Sequence, residues 1–393
     1  MTDDGHGALA RCVGDVDTFI ARHWDRAPLH RPGADPGGFA DVLTLHDCDR
    51  LVAVSGLRAP AFRLVKDGHT VEQSKVTRSA RLGSRRVGDL VDPDAALAEV
   101  ADGATLVLQG LQRSWPPIAA LCADLESALA HPVQANAYLT PPTAAGLSVH
   151  ADAHDVLVLH THGRKQWVVY PAPDRAAATE AASPARSEPE PWDLELAPGD
   201  VLYLPRGTRH AARTPETASL HVTIGIKPIT WRDVARRALE QADDPALDRA
   251  LPPGVAADRL GLAQAVAEAL PALAKSAGEA DPDAVAGAVA PRAASDAVHR
   301  GRLHDVLALT ALDDATRLRP RTATAEVDAG DDVVVRLADS QLRLPGWTAT
   351  AVRRALSGEP LTPADLADEL DAPGRLTLAR RFVREGLLAV DQR

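Results

Sequence analysis

The chain has 393 residues and a formal net charge of −11 at pH 7, and 3% of its residues are aromatic. This length is sufficient for two or three domains with a large main core. The acidic balance disfavours non-specific attraction to nucleic acid or to an anionic membrane, and it suits a basic protein or peptide partner better. No apolar stretch reaches about 18 residues, so the sequence predicts no membrane span.

The cysteines and the N-terminal sequence indicate in which cellular compartment the protein is expected. Cys12, Cys48 and Cys122 are widely spaced, odd in number and form no CxxC pair. This usage is typical of reduced thiols in a cytosolic protein. The N-terminus lacks a basic segment followed by an apolar core, which predicts no signal peptide. We therefore expect a cytoplasmic protein.

Residues 1–130 mix helical and extended patterns. Val13–Trp24 is amphipathic, and Ala95–Val100 and Ile118–Ala130 also have helical spacing.

Residues 131–229 differ in character, because short apolar runs alternate there with Gly and Pro turns. Such a pattern predicts an antiparallel barrel or sandwich. We expect Pro171–Pro191, rich in Ala, Pro, Glu and Ser, to be a mobile insertion between strands. The predicted strands are Asn136–Thr140, Leu147–Asp152, Val156–Thr161, Lys165–Tyr170, Trp192–Leu196, Asp200–Leu204 and Ser219–Ile226.

The rest of the chain is mostly helical. Ala/Leu-rich segments extend from Trp231 to about Asp314, and Thr324–Leu344 then has an extended pattern. Three short helices follow, with Thr362 as a start signal for the second and Gly386 as a stop signal for the last. They are predicted at Trp347–Leu356, Pro363–Leu370 and Leu376–Glu385.

The strongest chemical signal is His150-Ala151-Asp152, followed 58 residues after Asp152 by His210. Two imidazoles and one carboxylate are the ligands of a facial non-haem Fe(II) site, which leaves three positions open for a co-substrate and oxygen. His210 follows the strand Asp200–Leu204 and a Pro-Gly turn, which lets the chain fold back toward the upstream pair. The predicted metal ligands, and therefore the catalytic residues, are His150, Asp152 and His210.

A His-x-acid triplet alone is weak, since about two are expected by chance in this composition. A second one is present at His23-Trp24-Asp25. It lies in a helical pattern, where residues i and i+2 point to different sides. His150 and Asp152 lie in an extended pattern, where they share one face. We therefore interpret His23 as a surface or packing residue.

Several polar residues surround this predicted centre. Lys165 is placed to pair with the distal carboxylate of 2-oxoglutarate while the keto-acid end chelates iron. From the sequence pattern alone, an exposed hairpin lysine is the better interpretation. His221 is a rival third ligand, interpreted as a pocket residue because it lies mid-strand. Asn136, Tyr138 and Thr140 alternate along one strand and share one of its faces. They could form hydrogen bonds to the distal carboxylate of 2-oxoglutarate, or they could be the polar residues of a solvent-facing strand surface. His154, His160 and His162 are expected to face solvent or line the cavity.

The ordered motifs resemble the JmjC-type ribosomal oxygenases, also called cupin-4 proteins. The matching segments are Asn136-Ala137-Tyr138-Leu139-Thr140-Pro141-Pro142, His150-x-Asp152, Gly163-Arg164-Lys165-Gln166-Trp167, Pro198-Gly199-Asp200-Val201-Leu202-Tyr203-Leu204-Pro205-Arg206-Gly207 and His210. The resemblance covers about a hundred residues with specific motifs and extends more weakly over the whole chain. His160 and His162 depart from the family pattern.

The resemblance implies a mainly β fold with α additions: a double-stranded β-helix (jelly-roll, cupin) followed by a helical region and a winged-helix-like C-terminal domain. The expected domains are a JmjC catalytic domain over 1–230, with a barrel core at about 131–229, a helical dimerisation domain over 231–315 and a winged-helix-like domain over 316–393. A homodimer is expected. The charges from Arg343 onward nearly balance, which predicts no direct nucleic-acid binding.

The resemblance also implies the reaction. An Fe(II)-dependent oxygenase would use 2-oxoglutarate and O2 to hydroxylate a His or Arg side chain of a ribosomal protein or another polypeptide, with His150, Asp152 and His210 on iron and Lys165 on 2-oxoglutarate. Alternatives remain open. They are a tailoring hydroxylase of a biosynthetic peptide or small molecule, an N-methyl-lysine demethylase, a non-catalytic metal-binding cupin that binds protein, and a zinc hydrolase.

Overall fold

The structure of the protein is a computed structural model. It describes residues 7–142, 144, 148–170, 190–245, 247–251, 253–289, 302–321, 326–329, 332–336 and 341–391. The insertion predicted at Pro171–Pro191 lies almost wholly outside the described residues. The chain divides into two compact units, one formed by Pro228–Pro291 and the other by Met1–Lys227 together with Arg292–Arg393.

In the described part of the chain, five helices precede the predicted barrel. The predicted helix Val13–Trp24 is split, because Gly14 adopts a φ of +80° and the side chain of Asp15 caps a new helix by accepting from Thr18 N at 2.7 Å. The other two predicted helices are present and slightly longer than expected. The helices are α1 (Gly7–Val13), α2 (Val16–Arg22), α3 (Leu45–Val54), α4 (Pro93–Ala101) and α5 (Pro116–Leu129).

Thirteen strands are described before Lys227. They are β1 (Leu29–Arg31), β2 (Phe62–Lys66), β3 (His69–Thr70), β4 (Thr77–Leu82), β5 (Arg85–Val91), β6 (Thr105–Leu108), β7 (Val133–Thr140), β8 (Asp155–His162), β9 (Lys165–Tyr170), β10 (Trp192–Leu196), β11 (Val201–Leu204), β12 (Arg209–Arg213) and β13 (Ser219–Ile226). The main sheet has the order β1-β11-β8-β13-β7-β6-β2-β3, and a smaller sheet has the order β10-β9-β12. These two sheets form a β-sandwich with helical additions.

The core has two layers, one on each side of the main sheet. On one side, alternate residues of β8 and β11 such as Leu157 and Tyr203 pack against the N-terminal helices. On the other side, Val156, Val158 and Leu202 pack against Trp167 of the small sheet. Because both faces are covered, the first six residues of β8 are all buried.

Two sequence predictions about strands need correction. The main sheet includes β1, β2, β3 and β6, so it extends beyond the interval 131–229 in which the barrel core was expected. Leu147–Asp152 does not form a regular strand in its described part, since only His150 pairs, in an isolated bridge to His210. The neighbouring residues 145–147 lie outside the described residues.

Residues 228–291 form a helical unit, as the sequence predicted for the region after Trp231. Its helices are α6 (Trp231–Gln241), α7 (Arg259–Glu279) and α8 (Pro282–Val289). A capping box between Thr230 and Asp233 fixes the start of α6.

The C-terminal elements are α9 (Arg302–Ala308), β14 (Leu318–Pro320), β15 (Glu326–Ala329), β16 (Asp332–Arg336), β17 (Gln341–Pro345), α10 (Ala349–Ala355), α11 (Ala372–Glu385) and β18 (Leu388–Val390), with 3-10 turns at Gly346–Thr348 and Pro363–Leu366. The predicted helix Pro363–Leu370 is therefore only a short turn. The last helix begins earlier than predicted because Asp371 caps it and Pro373 fits its first turn.

Helix α9 packs with these C-terminal elements. The carboxylate of Asp305 accepts from Val390 N at 2.9 Å and pairs with Arg321. Helix α9 lies outside the unit Pro228–Pro291, although the sequence placed this helix in a helical region that ends at residue 315.

Among the helices of the described residues, none is both long and apolar enough to cross a membrane.

Candidate metal centre and its cavity

Three side chains converge at one end of the sandwich. The potential ligand atoms of His150, Asp152 and His210 all lie within 4.8 Å of one another. Nε2 of His210 is 3.6 Å from Oδ2 of Asp152, and the two imidazole centroids are 4.3 Å apart. Within the described ranges this is the only group of three or more His, Cys, Asp or Glu side chains close enough to hold one metal ion.

Backbone pairing brings the two distant segments together. His150 N donates to His210 O at 3.0 Å, and His210 N donates back to His150 O at 2.8 Å. One step further along, Gly207 N donates to Asp152 O at 2.8 Å. The segment with His150 and Asp152 therefore lies antiparallel beside the start of β12, and this pairing replaces the regular strand that the sequence predicted.

Both histidines are oriented by their own backbone. Nδ1 of His150 lies 2.9 Å from Ser148 O, and Nδ1 of His210 lies 2.9 Å from Thr208 O. A carbonyl accepts only, so each Nδ1 must carry the proton and each Nε2 keeps its lone pair. Burial lowers the pKa of His210 below its usual value, which favours the neutral, ligating form.

The triad opens on a cavity of about 290 Å³ between the two sheets. Its wall on the main sheet is a row of directly paired residues, in which Arg63 faces Val107, Val107 faces Tyr138, and Tyr138 faces His221. Such cross-strand partners share one face of the sheet. The lining residues are Arg63, Val65, Thr105, Val107, Asn136, Tyr138, Thr140, His150, Asp152, His154, Val156, Lys165, Trp167, His210, Ala212, His221 and Thr223.

Lys165 is the buried cation of this cavity. Its side chain is 2% exposed, and its Nζ donates to Thr140 Oγ1 at 2.9 Å. No carboxylate of the described residues pairs with it. Burial lowers its pKa to about 7. An ammonium without a counter-ion in a buried site is poised to receive an anion.

The predicted residues of β7 also reach the cavity. Thr140 is fully buried beside Lys165 and accepts from Thr105 Oγ1 at 3.2 Å. Asn136 is held by Gly110 N, which donates to its Oδ1 at 3.0 Å. Tyr138 lies between them, and burial raises its pKa. All three therefore face the same space as Lys165, as their alternation predicted.

His221 lies on the cavity wall and not within the metal-ligand cluster. Its ring stacks on Tyr138 with centroids 5.0 Å apart and meets Trp167 edge-on at 5.6 Å. Burial lowers its pKa well below the ordinary value, so the ring is neutral. Its Nδ1 and Trp167 Nε1 are buried without a hydrogen-bond partner among the described residues.

The remaining histidines differ in their position relative to the cavity. His154 lines the cavity, whereas His160 is buried behind it with Nε2 3.0 Å from Gly163 O. His162 is exposed at the end of β8. His23 lies outside the cluster, with Nδ1 3.0 Å from Pro28 O.

Sequence reasoning missed Arg63, Thr105 and Trp167 as cavity residues. Arg63 is fixed by its Nε, which donates to Gln109 Oε1 at 3.0 Å, and Trp167 stacks near His210 with centroids 5.8 Å apart. Trp167 is two residues after Lys165 on β9, so strand alternation could have placed it on the same face. For Arg63 and Thr105 no local signal was present.

With this geometry established, comparison with known proteins identifies the class. Residues 111–234 match the sequence model of the JmjC domain family. The matched range includes the triad, Lys165 and the residues of β7.

Curated relatives match more than half of the chain. The chain is 28% identical over 242 residues to ribosomal oxygenase 1 of Gallus gallus, covering 60% of this chain and 39% of that protein. It is 26% identical over 216 residues to the bifunctional lysine-specific demethylase and histidyl-hydroxylase NO66 of Drosophila mojavensis, covering 53% of this chain and 23% of that protein. The chain thus spans well under half the length of these curated relatives.

Solved structures extend the likeness in fold to nearly the whole chain. The structure of YcfD, a ribosomal oxygenase from Escherichia coli, in complex with cobalt and 2-oxoglutarate superimposes with a TM-score of 0.52 at 18% identity, covering 97% of this chain and 99% of that one. At this identity the superposition establishes a shared fold.

Proposed function

We propose that the chain is an Fe(II)- and 2-oxoglutarate-dependent oxygenase that hydroxylates a side chain of a polypeptide. The observation that carries the proposal is Lys165, a buried lysine with no carboxylate partner among the described residues. It shares its cavity with a His/Asp/His cluster in which the Nδ1 atom of each imidazole bonds a backbone carbonyl and Nε2 is left for a metal. A cation and an open metal site facing one cavity of this size fit a dicarboxylate that also chelates a metal.

The donor set fits Fe(II). His150, Asp152 and His210 would hold the ion on one face, and the remaining positions would be open to the keto acid and oxygen. When bound, the ion supplies the oxidising chemistry, in which 2-oxoglutarate and O2 give succinate, CO2 and one oxygen atom inserted into a substrate C–H bond. The carbonyls of Ser148 and Thr208 keep both imidazoles in the ligating tautomer.

The chain's residues would bind and orient 2-oxoglutarate. Lys165 would pair with the distal carboxylate, and Thr140 would add its hydroxyl. Asn136 and Tyr138, from the same strand face, and His221, opposite Tyr138, would form the polar wall. Because Lys165 and Thr140 are excluded from solvent, the charge pair would form at low dielectric, where it is stronger than in water.

For the substrate we propose a neutral imidazole in preference to a guanidinium. Among the described residues that line the cavity, Asp152 is the sole carboxylate, whereas Arg63 and Lys165 are both cations. A buried guanidinium needs an acidic partner, and Asp152 is committed to the metal in this proposal. Histidine in a ribosomal protein is therefore the favoured target, which agrees with the names of the relatives.

The first experiment is an anaerobic titration of the apo protein with Fe(II) and 2-oxoglutarate. Chelation of the keto acid should give a weak visible charge-transfer band at roughly 500 nm. The band should be lost in His210→Ala, and its absence from the folded wild-type protein would refute the proposal. For the substrate, two peptides that differ only in His or Arg at one position should gain one oxygen atom in the His form alone.

We also propose a cytoplasmic homodimer that joins through α7. Cys12, Cys48 and Cys122 are buried and form no disulfide with a described residue, which is in keeping with a reducing compartment. Helix α7 exposes an apolar stripe along one side, formed by Leu260, Ala263, Val266, Ala267, Leu270 and Ala274. Sedimentation equilibrium should give a dimer mass for the wild type and a monomer mass for Leu270→Asp, and a wild-type monomer would contradict this assembly.

A further inference from the structure

A second concave surface lies among the C-terminal elements, far along the chain from the JmjC residues. It is a groove of about 710 Å³ between strand β17 and the first half of helix α11. We refer to it as the β17 groove, and its described lining residues are Gln341, Leu342, Arg343, Leu344, Pro345, Trp347, Thr348, Leu370, Pro373, Gly374, Thr377, Leu378 and Arg381.

The β17 groove follows the edge of a strand. Successive side chains of a strand point to opposite faces, so a cavity over one face touches only every second residue. Here all five residues of β17 line the groove, the buried Leu342 together with the exposed Arg343. The groove must therefore extend along the strand's edge.

Among the described strands, that edge has no partner. β17 pairs with β16 on one side, in a sheet of order β15-β16-β17, and no other described strand pairs with it. The outward backbone N–H and C=O groups of an edge strand are a template for another extended chain. A fourth strand added there would satisfy them, as in the general mode of peptide recognition by strand addition.

The side chains around the edge indicate what such a strand would carry. Trp347, at one end of the groove, is 72% exposed, an unusual state for a large aromatic ring and typical of binding surfaces. The floor is apolar, with Leu344, Leu370 and Leu378. A segment with apolar side chains on one face would cover these residues.

The charges select an acidic segment. Arg343 and Arg381 line the groove, and none of its described lining residues is acidic. Arg381 also pairs with Glu385 at 2.8 Å, whereas Arg343 forms no ion pair with a described residue. The chain's net charge of −11 does not prevent binding, because charges more than about 10 Å away are largely screened at moderate salt.

We propose that the β17 groove binds an extended, acidic and apolar segment of a partner protein, which adds to β17 as a fourth strand. Its backbone would pair with the free edge, its apolar side chains would cover Trp347 and the leucine floor, and a carboxylate would pair with Arg343. This role is independent of the metal centre.

The test uses the full chain and fluorescein-labelled heptapeptides in anisotropy titrations. The acidic probe is Glu-Val-Glu-Leu-Glu-Val-Glu. Its controls are the same peptide with Lys for every Glu, the same peptide with a central Pro in place of Leu, and a ten-nucleotide single-stranded RNA. The acidic peptide should bind saturably and more weakly as salt rises, and the Pro peptide should bind at least about tenfold more weakly, since Pro cannot donate to a ladder.

Variants then locate the site. Arg343→Glu should weaken the acidic peptide about fivefold or more and improve the Lys peptide, and Trp347→Ala should weaken the acidic peptide about tenfold or more. Arg353→Glu is the matched control, because Arg353 is exposed on α10 outside the groove and should leave both affinities unchanged. The proposal is overturned if the acidic peptide does not bind saturably or if the RNA binds more tightly than the peptide. It is also overturned if the two Arg variants have equal effects, or if the protein self-associates and Trp347→Ala abolishes that self-association.

Discussion

The ammonium of Lys165 donates to the hydroxyl of Thr140 at 2.9 Å, and this bond joins the two sheets of the sandwich. Lys165 lies on β9 of the small sheet and Thr140 on β7 of the main sheet, and both side chains are almost fully buried. Since burial lowers the pKa of Lys165 to about 7, the charge of this residue changes within the physiological pH range. Anion binding in the cavity should therefore be coupled to a proton.

The affinity for 2-oxoglutarate should fall as pH rises above about 7. The pKa of Lys165 is lowered to about 7, so the free protein loses the ammonium above that pH, while the carboxylate binds the protonated form. The loss should approach about tenfold per pH unit, as expected for uptake of one proton. Anaerobic calorimetry between pH 6 and 9 measures this, and buffers of different ionisation enthalpy reveal the proton. Lys165→Arg should flatten the profile, because a guanidinium stays charged; a wild-type affinity independent of pH would contradict the prediction.

Thr140→Val should weaken 2-oxoglutarate binding while leaving the metal site intact. The substitution keeps the side-chain shape but removes the hydroxyl, next to Lys165 Nζ, that would bond the distal carboxylate, and a hydrogen bond to a charged group contributes about 1.5–3 kcal/mol. We expect KM for 2-oxoglutarate to rise about fivefold or more with little change in Fe(II) affinity. Thr140→Ser retains the hydroxyl and should behave like the wild type. Equal KM values for the Val and Ser variants would show that the hydroxyl is not used.

His150→Ala and Asp152→Ala should each abolish succinate formation and Fe(II) binding. Each change removes one of the three potential ligand atoms, all within 4.8 Å of one another. His23→Ala is the matched control, since His23 begins the other His-x-Asp triplet but bonds to Pro28 O away from the cluster. Succinate formation and calorimetric Fe(II) binding are the two measurements. Succinate formation retained in either variant would contradict the assignment of that residue as a metal ligand.

The cluster of His150, Asp152 and His210 could be predicted from the sequence because the motifs that mark it are short and local. His150-x-Asp152 and the Pro-Gly turn before His210 are short motifs, and the alternation of Asn136, Tyr138 and Thr140 follows from the period of a strand. The regular strand predicted around His150 is wrong, because His150 pairs only in an isolated bridge, yet His150 and Asp152 lie close to each other and to His210. The pairing with His210 substitutes for strand geometry.

The outer wall of the cavity could not be predicted from the sequence. Arg63 shares a sheet face with Tyr138 because of the register of three strands, in which Arg63 lies opposite Val107 and Val107 lies opposite Tyr138. Register depends on pairing between distant segments, and a shift of one residue would turn Arg63 to the other face. Short strands such as β6, with four buried residues, also lack the alternation that marks a strand in sequence.

Tyr203→Phe should lower the free energy of unfolding by about 1–3 kcal/mol, because it leaves buried polar groups unpaired. The Tyr203 hydroxyl donates to Asp155 Oδ2 at 2.8 Å and accepts from Asp25 N at 3.0 Å, and both Tyr203 and Asp155 are fully buried. Urea unfolding measures the change. Tyr170→Phe is the control, since Tyr170 contacts Arg209 through its ring, which the substitution keeps. The prediction fails if the two variants lose stability equally.

Gly163→Ala should destabilise the fold and weaken 2-oxoglutarate binding together. Gly163 connects β8 to β9 with a φ of +68°, and a Cβ there would lie 1.9 Å from the carbonyl oxygen of Ala218. The backbone must shift to relieve this contact, at a cost of about 2–4 kcal/mol, and Lys165 lies only two residues further on. Gly83→Ala isolates the cost of the backbone angle, because Gly83 has a φ of +60° in the β4–β5 turn and no atom within 4 Å of the new Cβ. We expect about 1 kcal/mol and unchanged binding for Gly83→Ala in urea unfolding and calorimetry. Equal losses in the two variants would mean that the turn does not position Lys165.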